Sequence, residues 1–193
     1  MNSQQTLTMN DCAKFLEEWL KRCCSVDEIN AIVKISGYKI PWLFSGRKSI
    51  KIMLEVNYLH LSIIMYCSIK LFGDFSNSLW NELTKNLWNH RFLVMQKYDS
   101  QFLNVLSKRL TQYTNILNGD GAAMELPYTF LENIGISPIT GKNPMAQIEL
   151  SMRFGISVKA TMELFDKNKG MFYKAFMDSM PDEELDSVED DDE

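Results

Sequence analysis

The sequence predicts an all-α protein: a single-domain helical bundle around a central buried helix, then a subregion of short helices and a disordered acidic tail. Three observations lead there. Only 5 prolines and 9 glycines interrupt 193 residues, and the turn residues fall between long segments whose apolar positions recur every three or four residues. One segment is apolar on nearly every side, as befits a helix covered by several neighbours. The chain is 46% hydrophobic and long enough to bury one sizeable core. The expected division is a helical domain over residues 1–180, with a main bundle at 8–118 and C-terminal helices at 128–180, followed by the tail at 181–193.

Taken in order, "TMND" from Thr8 offers a capping threonine with an acid three residues on, and Cys12, Phe15, Leu16, Trp19, Leu20 and Cys23 then mark one helical stripe. "SVDE" from Ser25 repeats the capping spelling, with Glu28 expected to reach back to the cap, and Gly37 stops the second helix. "YKIPWLFSGRK" reads as an irregular connection because of its proline and glycine. The segment from Ile50 to Phe72 is the central helix; its uncharged interval, Val56 to Ile69, is shorter than the roughly 20 residues needed to cross a bilayer. Helices are predicted from Ser78 and from Asp99, the latter stopped by "NGDG" after Leu117. "TFLENIG" offers a capping box at Thr129 and Glu132, and "GMFYKAFMDSM" a last helix.

The stretch "QIELSMRFGISVKATMEL", Gln147 to Leu164, is spelled like a helix-turn-helix: Gly155 to end the first helix, Ser151 four residues before it for close approach, and Leu150, Phe154, Ile156 and Leu164 at the joint. Two helices meeting at Gly155 are therefore expected within 144–165, opened by Pro144. Thr161 departs from the pattern, since an aliphatic residue would normally fill the joint. As a reading head the second helix is poor. Its candidate groove-facing residues, Ser157, Val158, Lys159, Met162 and Glu163, offer one cation and one anion where phosphate and base contacts want several basic or amide side chains.

The charge is segregated. The tail from Pro181 carries 9 acidic residues and no basic one, leaving 16 acidic against 20 basic over residues 1–180, a body of +4. With only Leu185 and Val188 as apolar residues, such a tail is expected to stay disordered. Cys12, Cys23, Cys24 and Cys67 form no CxxC pair and have no histidine close in sequence, so they read as buried thiols; neither metal nor cofactor is expected. No basic start followed by an apolar run opens the chain, which places it by expectation in a reducing cytoplasm.

His60 and His90 are the only histidines; His60, between Leu59 and Leu61, reads as a hydrogen-bonded core histidine and His90 as a helix-face or interface residue, and with no nucleophile, base or metal spacing no enzyme is expected. What remains is binding. Methionine adapts its shape to a partner, and Met145, Met152, Met162, Met171, Met177 and Met180 crowd the C-terminal part. The first five are the predicted partner-binding residues, with Met162 read as exposed beside Lys159 and Glu163. The sequence thus points to a non-enzymatic interaction protein, an adaptor, secretion-type chaperone or regulatory subunit, whose partner is another protein or peptide segment rather than nucleic acid, with no membrane span and a place peripheral to a larger complex. The alternatives are a helix-turn-helix DNA-binding regulator and a toxin-neutralising immunity protein.

Overall fold

The computed structural model describes residues 7–37, 45–98, 100–136 and 144–179, with the side chains of 45–49, 90, 94, 98 and 144 outside that description. The acidic tail, and the disorder expected of it, lie outside as well. The protein is an all-α helical bundle, without a strand among the described residues. Its helices are α1 (Met9–Cys23), α2 (Val26–Ser36), α3 (Ser45–Phe72), α4 (Ser76–Leu87), α5 (Leu93–Tyr98), α6 (Phe102–Asn118), α7 (Ala122–Ile134), α8 (Pro144–Lys167) and α9 (Lys169–Met177).

α1 starts as its sequence spells: Thr8 Oγ1 accepts from the Asp11 N–H, and the Asp11 carboxylate accepts from the Thr8 N–H at 3.1 Å. Ser25 likewise caps α2 by accepting from the Glu28 N–H. Glu28 does not reach back to the cap. Its carboxylate instead receives Nε and Nη2 of Arg153 on α8 at 2.5 Å each, a two-pronged pairing that ties the two helices together. Gly37 closes α2 in the left-handed conformation.

α3 is the axis. Ile52, Val56, Leu59, Ile63 and Cys67 are fully buried, and α6, α8, α7, α4, α1 and α2 all pack on it. The run Ile50–Leu87 is apolar and long enough to cross a membrane by length and composition, but 78% of its apolar window is buried inside the protein, the mark of a core helix. Gly73, at φ 56°, breaks that run with one turn of 3-10 helix before α4, a backbone state that a side chain would strain. The C-terminal helices share the same core: Phe130, Phe154, Phe165, Phe172 and Phe176 belong to one buried cluster with the α1 and α3 residues.

Four local expectations are corrected. Residues 45–48, read as part of an irregular connection, are already helical in α3; residues 38–44 lie outside the description. The capping box at Thr129 and Glu132 does not form, because α7 has already begun at Ala122 and runs through Thr129 with Pro127 inside it. Met162 is half-buried against the core rather than exposed. The helix-turn-helix is absent, since α8 runs unbroken from Pro144 to Lys167. Gly155 is not among the positive-φ glycines, which are Gly37, Gly73 and Gly135.

An interior glycine costs about 1 kcal/mol relative to alanine, so something must hold α8 straight through Gly155. Contacts on both sides do so. Before it, Ser151 and Arg153 bond to α7 and α2, and Phe154 meets Phe130 of α7 edge-on, with 5.2 Å between ring centroids. After it, the buried Thr161 Oγ1 accepts from the Trp19 indole N–H at 3.1 Å and donates to the Ser157 carbonyl at 2.8 Å. The residue that departed from the helix-turn-helix pattern is the hydrogen-bond partner of a tryptophan from α1.

Candidate interaction face and pocket on α8

At 3.6 residues per turn, α8 divides into strips. Ala146, Leu150, Phe154, Thr161 and Phe165 face the core and are buried. On roughly the opposite side, within an arc of about 80°, stand Met145, Ile148, Met152 and Ile156, exposed by 54%, 52%, 64% and 66%. Four large apolar side chains on successive turns of one helix make a contiguous patch, which isolated surface residues do not. Farther along, the exposed positions become Lys159, Glu163, Asp166 and Lys167, so the apolar strip is confined to the first half of the helix.

Between the core strip and the exposed strip lies a pocket of about 300 Å³, lined by Tyr66 of α3, Leu117 of α6, Ala122, Ala123, Leu126 and Pro127 of α7, and Ser151, Phe154, Gly155, Val158 and Lys159 of α8. Its origin is the small side chains where α7 and α8 meet. A Cβ on Gly155 would have no neighbour within 4 Å. Pro127 lacks the N–H that would bond the carbonyl four residues back, that of Ala123. Ser151 supplies the missing donor, its hydroxyl bonding the Ala123 oxygen at 2.6 Å. The serine is thereby engaged with backbone, and Lys159 is the one charged residue lining the pocket.

The predicted methionines do not form one surface. Met145 and Met152 stand on the exposed strip; Met162 and Met171 are partly buried against the core; Met177 is 40% exposed at the end of α9. Sequence reading missed Ile148 and Ile156, which complete the strip. Their signal was the spacing of 3, 4 and 4 residues from Met145, hidden once a turn was placed at Gly155. Trp80 lines a separate open groove with Met65, Leu103 and Leu110.

The chemistry-bearing groups elsewhere serve the core. The Glu55 carboxylate accepts from Tyr113 Oη at 2.5 Å and Asn133 Nδ2 at 2.9 Å and pairs with Arg109 Nε at 3.0 Å, joining α3, α6 and α7. Burial nevertheless pushes its pKa up, against the pull of these three partners. His60 is buried in α3, and its Nε2 has no hydrogen-bond partner among the described residues. Burial drives its pKa down to about 4, so the ring is neutral at physiological pH; the side chain of His90 lies outside the description. Burial pushes the thiols of Cys12, Cys23, Cys24 and Cys67 up to about 11 or 12, far from the low values of nucleophilic cysteines. Among the described residues no group of three His, Cys, Asp or Glu could hold a metal.

No protein-family model matches the chain, nor does any curated protein or any solved structure.

Proposed function

We propose that this is a non-enzymatic interaction protein of the reducing cytoplasm, an adaptor, chaperone or regulatory subunit, which binds a segment of another polypeptide on the first half of α8. The observation that carries the reading is the strip of Met145, Ile148, Met152 and Ile156, four apolar side chains each more than half exposed on one helical face. Such a face suits an amphipathic partner helix, whose apolar residues recur at the same three- and four-residue spacing. Met145 and Met152 give it adaptable side chains, and Ile148 and Ile156 give it shape. Four unpaired thiols support a reducing compartment.

The test uses the full chain as bait in an extract of its own host, with the captured proteins quantified by mass spectrometry. A stoichiometric partner held by the native protein and lost from Met152→Asp, at unchanged thermal stability, supports the reading. Equal capture by both proteins, or no stoichiometric partner, counts against it.

A further inference from the structure

The pocket beside the strip has a chemistry of its own. Its volume of about 300 Å³ stands at the small end of the roughly 300–1,000 Å³ common for ligand sites, room for one slim chain or ring. The lining is apolar but for its edges. Leu117, Leu126, Pro127, Phe154 and Val158 form the walls, and the small Ala122, Ala123 and Gly155 leave the interior open. The Ser151 hydroxyl is spent on the Ala123 carbonyl.

Two lysines stand at or next to the lining. Lys159 lines the pocket with its ammonium largely in solvent, 3.9 Å from the Glu163 carboxylate, the long end of an ion pair. Lys70, one turn beyond Tyr66 on α3, holds its ammonium 5.6 Å from the centre of the Tyr66 ring, and that ring is part of the lining. Lys159 in the lining and Lys70 against the lining residue Tyr66 are cations from two different helices, with Glu163 as the carboxylate a ligand must outcompete.

We propose that the pocket binds a small amphiphilic carboxylate, its apolar chain between α7 and α8 and its headgroup on Lys159 and Lys70. The site goes beyond the proposed docking of a polypeptide and does not require it, because the exposed strip lies outside the pocket lining. An apolar chain gains by leaving water, and the carboxylate keeps water while gaining two cations. An uncharged chain of the same length forfeits the second contribution.

The experiment is calorimetric titration of the full chain with decanoate and with decanol, both below their aggregation concentrations. Saturable 1:1 binding of decanoate is expected, about tenfold tighter than decanol. Lys159→Gln should bring decanoate close to decanol while leaving decanol unchanged. Gly155→Leu should abolish both by filling the cavity, and since its Cβ meets nothing within 4 Å the variant should keep the native thermal midpoint; if it does not, Ala123→Leu on the facing wall replaces it. Met152→Asp should bind decanoate as the native protein does, which separates failure of the pocket from failure of the docking face. No binding of decanoate, equal affinity for decanol, or binding to phosphatidylglycerol vesicles without binding of free decanoate would each overturn the proposal.

Discussion

α3 and α8 are the two longest helices of the bundle, and both are apolar on more than one side. In α3 neighbours cover nearly every apolar side chain from Ile52 to Cys67. In α8 the apolar residues separate into a buried strip around Leu150, Phe154 and Phe165 and an exposed one from Met145 to Ile156. Apolar composition thus says that a helix wants to be covered, whereas the tertiary structure says whether it is. On α8 four large apolar side chains are left uncovered, and a charge placed on each helix should expose the difference.

The largest effect belongs to α3. Ile64 is 2% exposed at its centre, and Ile64→Asp places an unpaired charge in the core at a cost of several kcal/mol, against a total stability of about 5–15 kcal/mol. Circular dichroism should show an unfolded or grossly destabilised chain. The matching charge on α8, Met152→Asp, should leave the thermal midpoint unchanged.

The pH dependence also resides in α3. His60 is neutral in the folded protein down to about pH 4, whereas in the unfolded chain it takes up a proton below its ordinary value of 6.5. Between those limits the unfolded state binds more protons, so stability falls as the pH drops through this window, by up to about 3 kcal/mol for this one group. Burial dominates the shift, while the neighbouring Glu28 and Arg153 pull in opposite directions. Urea midpoints at pH 7 and pH 5 should therefore differ less in His60→Leu than in the native protein; an equal difference would remove His60 as the source.

A smaller effect probes the joint of α7 with α8. Ser151→Ala leaves the Ala123 carbonyl without its donor and should cost about 1 kcal/mol. Pro127→Ala restores the backbone N–H that the serine replaces. If the two residues serve one carbonyl, Ser151→Ala should cost less in the Pro127→Ala background than in the native one, and a cost independent of background would contradict the geometry.

Much of the bundle is legible because its signals are local: the Thr8 and Ser25 caps, the stripe of α1, the stop at Gly37 and the apolar centre of α3 each need only a few neighbouring residues. The path of α8 was not legible. A glycine flanked by Phe154 and Ile156 satisfies the spelling of a turn, and the forces that override it come from residues far along the chain: Glu28 on Arg153, Trp19 on Thr161, and Ala123 on Ser151. The start of α7 was not legible from the capping spelling at Thr129 and Glu132 either, since a helix running through Pro127 depends on a hydroxyl from elsewhere, that of Ser151, to serve the freed Ala123 carbonyl. Of the site, Met145 and Met152 were legible as adaptable apolar residues. Ile148, Ile156 and the pocket depend on the helix being continuous.

The measurement that bears most directly on the two-faced α8 compares neighbouring substitutions, Met152→Asp on the exposed strip and Phe154→Asp on the buried one, for thermal stability and for retention of a stoichiometric partner. Phe154 is 1% exposed, so Phe154→Asp should unfold the protein or lower its midpoint severely. Met152→Asp should melt with the native protein yet bind its partner about thirtyfold more weakly, equivalent to about 2 kcal/mol. Destabilisation by both substitutions, or undiminished partner binding by a folded Met152→Asp protein, would contradict the division of α8 into a structural face and a binding face.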